Sequence, residues 1–500
     1  MSDAARDAAR EGDEEELGPA LDVFAREALA FRREVDRLPV LRECVPEEIR
    51  RILADRFDFS DPTPLPSLTA QVAALLRDGT LHVTHPAYFG LFNPSVDAAG
   101  ILADALAALF NPQLAAWSHA PVANEIERHT LRWLASHVWP DADERDGCFA
   151  SGGAEANLTA TVAALARRFP SFGDSGLRGL PGPPAFYLSE GAHHSFVKIA
   201  AMTGLGREAA RAVPVDRSGR MAAAALADRI EADRAEGWIP FLVVGTAGTT
   251  AEGVVDPLGP IARICREHGA WFHVDAAWGG TACLSPRLRP HMAGVEDADS
   301  VTWDAHKWLS VPMGAGMFLC RHPEALHVAF RTSTGYMPPD VRGADDPYLS
   351  TVQWSRRFTG LKVFLTLARL GREGVVARID HQVAMGDLLR RELRADGWEI
   401  VNRTPLPVLC FRHPRLSGQG AYERALADLY RAGNVWISLV HAGGGPAFRA
   451  CITSYRTGPE HVKRLVGELR RVSAPEPRAP PPGGAVGPDP EASREPGRAP

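Results

Sequence analysis

The chain has 500 residues, of which 45% are hydrophobic, and it carries a formal net charge of −6 at pH 7. This size and composition predict an enzyme-sized subunit with a large core and exclude disorder over most of the chain. The slightly acidic balance, with arginines scattered rather than clustered, predicts no nucleic-acid partner and favours a small-molecule partner.

The first twenty residues are polar and acidic, and they lack the basic start and apolar core of a signal peptide. We therefore expect residues 1–20 to be a disordered N-terminus. No apolar run reaches about 18 residues, so no membrane partner is predicted. The seven cysteines are odd in number and contain no CxxC pair, which predicts reduced, mostly buried thiols and a cytoplasmic location.

The remaining chain divides into four predicted parts. From about Leu21 to Leu76 apolar positions recur at helical spacing, broken by "DPTPLPS", and we expect residues 21–110 to form an N-terminal helical segment. Residues 111–345 alternate Ala-rich helical stretches with the short apolar runs "AFYLS", "IPFLVVGT", "AWFHVDA", "SVTWDA" and "GMFLC", which are typical of a parallel sheet covered on both faces. Residues 346–472 predict a smaller α+β domain, and residues 473–500 a disordered Pro-rich tail. The predicted fold class is α/β.

Polar residues follow several of the predicted strands, where ligands bind in open α/β sheets. His193 lies in "SEGAHHS" after the first run, Thr246 ends the second, Asp275 ends the third, and Lys307 follows the fourth. In "ASGGAEANL" two glycines open a helix whose first N–H groups favour a phosphate.

Together these residues meet the needs of one cofactor, pyridoxal 5'-phosphate. Such an enzyme requires a lysine for the aldehyde, an acid at the pyridine nitrogen, a phosphate cradle and a flat group against the ring. The sequence supplies these four groups, in the same order, as Lys307, Asp275, the helix start at 152–154 and His193. The sequence therefore predicts pyridoxal phosphate as cofactor and no metal site.

The motifs "HPAYFGLFNPS", "SGGAEANL", "AHHS", "HVDAAWGG" and "DAHKW" resemble the group II pyridoxal-phosphate-dependent amino-acid decarboxylases. That family includes aromatic-L-amino-acid, tyrosine, histidine and glutamate decarboxylases, and the likeness runs from about Leu21 to about Ser473. It implies a type I pyridoxal-phosphate-dependent transferase fold, with a mainly parallel seven-stranded sheet in a large cofactor-binding domain and a smaller C-terminal domain. It also implies a homodimer whose interface includes residues 21–110.

The resemblance implies that Lys307 is the Schiff-base lysine, that Asp275 pairs with the pyridine nitrogen and that His193 stacks on the ring. The other implied cofactor contacts come from Ala277 on the opposite ring face, Thr246 near the ring substituents, and Gly153, Ala154 and His306 at the phosphate. Two positions depart from the pattern. Ala154 stands where the family often has a hydroxyl residue, and Asp304 stands where the animal aromatic enzymes have asparagine.

The implied reaction converts an L-amino acid to its amine and carbon dioxide. Tyr336, in the Gly- and Pro-containing loop "FRTSTGYMPPDVRGADD", matches the family's proton donor. One alternative is oxidative decarboxylation to an aldehyde, which in related plant enzymes accompanies Phe at this position. A second is a non-catalytic regulatory homologue, against which the intact set of Lys307, Asp275 and His193 argues.

The class of substrate is predicted from the candidate residues of the pocket wall. Tyr88, Phe92, Trp117 and His119 are candidate wall residues of the substrate pocket, and an aromatic wall favours an aromatic or large apolar side chain. The small residues at 115–116 stand where aromatic decarboxylases carry bulkier groups. The same aromatic side chains are also compatible with ordinary core packing.

Overall fold

The computed structural model describes residues 3–142, 145–332, 334–338 and 341–474. The N-terminal segment is helical, with α1 Asp3–Glu34, α2 Pro46–Arg56, α3 Leu65–Gly79 and α4 Ala98–Phe110. Helix α1 starts inside the stretch predicted to be disordered. Its Ala, Glu and Arg residues have high intrinsic helix propensities, which the polar composition concealed.

A seven-stranded sheet forms the centre of the large domain. Its strands are β1 Asp146–Ala150, β2 Pro184–Ser189, β3 Ala210–Val213, β4 Ile239–Thr246, β5 Trp271–Asp275, β6 Ser300–Asp304 and β7 Gly316–Cys320. They lie in the order β1-β7-β6-β5-β4-β2-β3, and β7 runs antiparallel to both of its neighbours. The remaining pairs are parallel, so the predicted mainly parallel sheet is confirmed.

Helices cover both faces of this sheet. They are α5 Pro121–Ala135, α6 Gly153–Arg168, α7 Phe172–Ser175, α8 Ser195–Met202, α9 Ala223–Ala235, α10 Leu258–His268, α11 Ala305–Trp308 and α12 Pro323–Phe330. Successive strand residues point to opposite faces. Val243 and Val274 therefore join one buried cluster, whereas Leu242 and Val244 join another with the alanines of α6.

The C-terminal domain is an antiparallel sheet with three helices. Its helices are α13 Gly360–Ala395, α14 Gln419–Ala432 and α15 Pro459–Ser473, and its strands are β8 Glu399–Ile400, β9 Val408–Arg412, β10 Ser438–Ala442 and β11 Gly445–Cys451. The strand order is β10-β11-β9-β8. Gly371, at φ 62°, divides α13 into two long helical stretches.

An early segment also belongs to this small domain. Ala87, Tyr88 and Phe89 are buried in its core, and the Phe89 N–H donates to the Trp436 carbonyl at 2.8 Å. The Cys451 N–H at the end of β11 donates to the Phe89 carbonyl at 2.9 Å. Residues 87–89 therefore connect the N-terminal segment to the C-terminal sheet.

Within the described residues, no helix is both long enough and apolar enough to cross a membrane. All seven cysteines are free thiols, six of them buried, and Cys44 is exposed.

Candidate active site

The carboxyl ends of β4, β5 and β6 lie side by side and gather the predicted residues at one edge of the sheet. Thr246 pairs in register with Asp275, and Asp275 pairs with Thr302 of β6. The single turn of α11 follows β6 directly and carries His306 and Lys307. The topology therefore brings the predicted lysine and acid to neighbouring strand ends.

Lys307 is held between a carboxylate and an aromatic ring. Its Nζ lies 3.0 Å from Oδ2 of Asp304 and 5.5 Å from the ring centroid of Phe92. Asp304 is buried, and its other oxygen, Oδ1, has no hydrogen-bond partner among the described residues. The ammonium group is thus fixed at the strand end by a buried charge.

Asp275 is buried and accepts two hydrogen bonds. Asn157 Nδ2 donates to its Oδ2 at 3.0 Å, and the Ala277 N–H donates to its Oδ1 at 3.1 Å. These two donors fix the orientation of the carboxylate, which can therefore pair with a ring nitrogen at the strand end.

His193 stands before α8 and is partly open to solvent. Its Nδ1 lies 2.9 Å from Ser195 Oγ and accepts from the Ser195 N–H at 3.2 Å. Partial burial lowers the pKa of His193, and the charge of Lys307 adds to this effect. A largely neutral imidazole suits a ring that stacks on a flat heterocycle.

The start of α6 forms a cradle that only small residues allow. A Cβ on Gly153 would lie 2.9 Å from Asp304 Oδ2, and a Cβ on Gly316 would lie 2.5 Å from the Cα of Gly152. The first N–H groups of a helix have no intrahelical acceptor, so those of Gly153 and Ala154 can bind an anion.

His306 lies beside this cradle. It is buried, its Nδ1 accepts from the Ala315 N–H at 3.2 Å, and burial lowers its pKa. A neutral ring with Nδ1 as acceptor carries its proton on Nε2, which can donate to a phosphate.

The residues present fit pyridoxal phosphate. In the described part of the chain, three buried oxygens near these strand ends lack hydrogen-bond partners: Ser189 Oγ, Thr246 Oγ1 and Asp304 Oδ1. Buried polar atoms normally have partners, so their clustering at one sheet edge is consistent with a polar ligand. Lys307 and Asp275 supply the amine and the acid that the cofactor requires.

The structure does not bring every predicted residue into this cluster. Tyr336 is 76% exposed, and its ring centroid lies 6.0 Å from that of Trp354. Of the four predicted wall residues, Phe92 alone has a described contact with Lys307. Tyr88 stacks on Trp436 in the small domain, Trp117 donates its indole N–H to Glu125 at 2.8 Å, and His119 is exposed.

Two residues at the site were not predicted. Asn157 lay inside the quoted motif "SGGAEANL", and its position one turn after Gly153 was the available signal. Arg449 on β11 is 1% exposed, and its Cζ lies 4.8 Å from the Phe92 ring centroid. Its Nη2 has no hydrogen-bond partner among the described residues. No local pattern marked Arg449, because it lies within an apolar run.

An α/β sheet with a lysine and a buried aspartate at adjacent strand ends, beside a glycine-opened helix, defines a pyridoxal-phosphate enzyme of fold type I. Residues 46–414 match the family model described as the pyridoxal-dependent decarboxylase conserved domain. The chain belongs to this family, and it is a pyridoxal-phosphate-dependent amino-acid decarboxylase, a carboxy-lyase.

Its similarity to known proteins extends over most of the chain. It is 32% identical over 447 residues to cysteine sulfinic acid decarboxylase of Homo sapiens, covering 85% of this chain and 90% of the human protein. It is 32% identical over 403 residues to aromatic-L-amino-acid decarboxylase of Bacillus atrophaeus, covering 78% and 82%. The solved structure of Oryza sativa TDC with PLP and tryptamine superposes with a TM-score of 0.83 at 26% identity, covering 93% of this chain and 97% of that one.

Proposed function

We propose that this protein releases carbon dioxide from an L-amino acid at the edge formed by β4, β5 and β6, with Lys307 as the residue that holds the cofactor aldehyde. The observation that carries the proposal is the position of Lys307 directly after β6, bound to buried Asp304 and beside the strand that ends in Asp275. Titration of the pure protein with pyridoxal phosphate, with assays for carbon dioxide and amine, tests it. A non-catalytic homologue would show neither product.

The other proposed contacts rest on the family resemblance and are supported by the position of these residues at the strand ends. Asp275 would pair with the ring nitrogen, His193 and Ala277 would take opposite ring faces, and Thr246 would lie near the ring substituents. Gly153, Ala154 and His306 would bind the phosphate. When bound, pyridoxal phosphate supplies an electron sink for the bond broken at Cα of the substrate.

Arg449 is the proposed group that binds a substrate carboxylate. Its Nη1 and Nε already donate to the carbonyls of Gly90 at 2.7 Å and Ala251 at 3.1 Å, which fix the guanidinium plane. The guanidinium of Arg449 and the ammonium of Lys307 both contact the Phe92 ring. Nη2 of Arg449 has no hydrogen-bond partner among the described residues. A buried guanidinium with one free nitrogen favours an anionic ligand.

Two classes of substrate side chain are supported by different observations. The apolar stack of Phe92 on Trp278, with ring centroids 4.7 Å apart, favours an aromatic or large apolar side chain. The human relative acts, by its name, on cysteine sulfinic acid, which favours a small acidic one. A panel of L-amino acids that includes phenylalanine, tyrosine, tryptophan, glutamate and cysteine sulfinate, assayed by mass spectrometry, separates the two.

We also propose that the active unit is a homodimer. Leu102, Leu106 and Leu109 are 62%, 41% and 72% exposed and lie on one face of α4, whereas Ala103 and Ala107 pack inward. An exposed apolar stripe of this kind marks an interaction surface.

The proposed domain limits are 21–110, 111–345 and 346–472, with the last 28 residues as a tail, most of which lies outside the described residues. The free buried thiols support a cytoplasmic location.

A further inference from the structure

Asn157 is a buried amide whose hydrogen-bonding groups are all used. It lies in α6, one turn after Gly153, and is 1% exposed. Its Oδ1 contacts Thr302 Oγ1 at 2.7 Å and His273 Nε2 at 3.1 Å. Its Nδ2 donates to Asp275 Oδ2 at 3.0 Å and to Ser195 Oγ at 3.4 Å. One side chain therefore connects two strands to the segment that carries His193.

The strand residues that contact Asn157 share one face of the sheet. Trp271, His273 and Asp275 alternate along β5, so all three side chains point toward α6. Ser300 of β6 pairs in register with His273. We use the term donor chain for Trp271, Ser300, His273, Asn157 and Asp275, taken in the order of their contacts.

The direction of the donor chain follows from its carboxylate end. A carboxylate accepts hydrogen bonds, so Asn157 directs Nδ2 to Asp275 and Oδ1 to His273 Nε2. Because Oδ1 can only accept, Nε2 carries the proton of a neutral ring and Nδ1 is left as an acceptor. The Ser300 hydroxyl therefore donates to Nδ1 at 2.8 Å and accepts from the Trp271 indole N–H at 2.8 Å. Every proton is thus directed toward the carboxylate.

The reverse orientation of the amide is disfavoured. If Oδ1 and Nδ2 exchanged places, an amide oxygen would face the Asp275 carboxylate and lose that hydrogen bond. In the observed orientation the second Nδ2 hydrogen reaches Ser195 Oγ, and the Ser195 hydroxyl can donate to Nδ1 of His193. The same amide therefore fixes the acid and the stacking histidine relative to each other.

We propose that Asn157 is a positioning residue that fixes the Asp275 carboxylate and the Ser195–His193 pair in a single arrangement around the cofactor ring. This inference rests on the cofactor site given under the proposed function. Asn157 acts through Asp275 and Ser195 rather than by contact with the reacting atoms.

The test compares Asn157→Leu with Thr302→Val. The first variant removes both Nδ2 donors, whereas the second removes one donor to Oδ1 and leaves the Nδ2 donors in place. Asn157→Leu should raise the dissociation constant for pyridoxal phosphate about tenfold or more, because a hydrogen bond to a charged group is lost. It should also reduce the visible circular dichroism per bound cofactor. Thr302→Val should lower only the urea midpoint of the cofactor-free protein.

The inference would be overturned if cofactor affinity and visible circular dichroism changed equally in both variants, in proportion to the stability that each variant loses. Asn157 would then have only a structural role. Wild-type affinity and circular dichroism in Asn157→Leu would overturn it as well. If wild-type protein itself binds no pyridoxal phosphate, the proposed function fails instead.

A second measurement needs no folded variant of Asn157. Nitrogen-15 NMR of histidine-labelled, cofactor-free wild type, with His273 assigned by comparison with His273→Gln, reports which ring nitrogen carries the proton. The donor chain requires it on Nε2. A proton on Nδ1 would reverse the direction of the donor chain and overturn the inference.

Discussion

Lys307 has a charged partner and an aromatic neighbour, and its proposed role is covalent. Lys307→Ala should abolish both the visible absorbance of lysine-bound cofactor and the release of carbon dioxide. The urea midpoint of the variant should fall, because Lys307→Ala leaves the buried Asp304 carboxylate without its charged partner. Absorbance spectra of the loaded proteins and a carbon dioxide assay check this. The exposed Lys463 on α15 offers a control, and Lys463→Ala should behave as wild type.

The second residue-scale prediction concerns the proposed proton donor, Tyr336. A phenol on a loop can protonate Cα as a general acid once carbon dioxide has left. Tyr336→Phe should lose most amine formation and gain aldehyde, ammonia and hydrogen peroxide, because an unprotonated Cα stays open to dioxygen. Amine and peroxide assays on one substrate measure both outcomes.

Tyr348 provides the matched control for this experiment, because its ring also contacts Trp354, with centroids 4.9 Å apart. Tyr348→Phe should leave the product ratio unchanged. A Tyr336→Phe enzyme that makes amine at the wild-type rate without peroxide would show that another group donates the proton.

At the residue scale, the sequence was sufficient to locate residues that stand directly after strands. The positions of Asp275 and Lys307 could be predicted because the carboxyl ends of neighbouring parallel strands lie side by side, regardless of the loops that follow them. Arg449 could not, since its approach to Phe92 depends on how the small domain packs against residues 90–92. The exposure of Tyr336 in a single chain likewise depends on loop packing, which local sequence does not encode.

At the scale of elements, the contact between β7 and the start of α6 shapes the proposed phosphate cradle. A Cβ on Gly316 would lie 2.5 to 2.8 Å from three backbone atoms of Gly152. Gly316→Ala should therefore cost about 1–3 kcal/mol of unfolding free energy and weaken cofactor binding, because backbone cannot move aside as a side chain does. Urea unfolding and cofactor titration measure the two effects.

Gly467 is the control for that substitution, because it is exposed in α15 and a Cβ added there would meet no atom within 4 Å. Gly467→Ala should be neutral or stabilise the protein by up to about 1 kcal/mol, because alanine is the better helix former. A Gly316→Ala protein as stable as wild type would contradict the close approach of β7 and α6.

The sequence also predicted the fully buried strands better than the partly exposed ones. Strands β2, β4, β5, β6 and β7 are apolar runs of five residues or more and are almost entirely buried. In contrast, β1 and β3 carry partly exposed positions and are held by pairing with β7 and β2. Tertiary pairing, rather than local propensity, makes them strands.

At the scale of the whole molecule, buried neutral histidines should make the fold acid-sensitive. Burial lowers the pKa of His273 to about 4, from its ordinary 6.5. Between these two pH values the unfolded chain binds a proton at His273 that the native chain does not. The contribution of His273 to the free energy of unfolding is therefore fully present above pH 6.5 and is lost as the pH drops toward 4. This decrease in unfolding free energy should be on the order of 3 kcal/mol.

Urea unfolding of the cofactor-free protein across this pH range measures the effect. His273→Gln, which has no titrating ring, should show a smaller decrease in unfolding free energy between pH 7 and pH 4.5. An identical pH dependence in wild type and variant would contradict the buried neutral state of His273.

The last prediction concerns assembly through α4. Leu106→Glu places a charge in the middle of the exposed leucine stripe and should convert the proposed dimer to monomer, with loss of activity. Analytical ultracentrifugation measures the change. Met202→Glu, at an isolated position that is 71% exposed, should leave the dimer intact. A monomeric wild type would contradict the proposed interface.

The attachment of residues 87–90 to the C-terminal sheet has a consequence during synthesis on the ribosome. Gly90 and its partner Arg449 are 359 positions apart in the chain. At ordinary elongation rates of about 5–20 residues per second, the early segment waits on the order of tens of seconds for the strand that covers it. Over that interval Ala87, Tyr88 and Phe89 have no native partner surface. We therefore expect nascent chains stalled before residue 436 to bind holding chaperones at this segment, and chains released after residue 474 to have buried it.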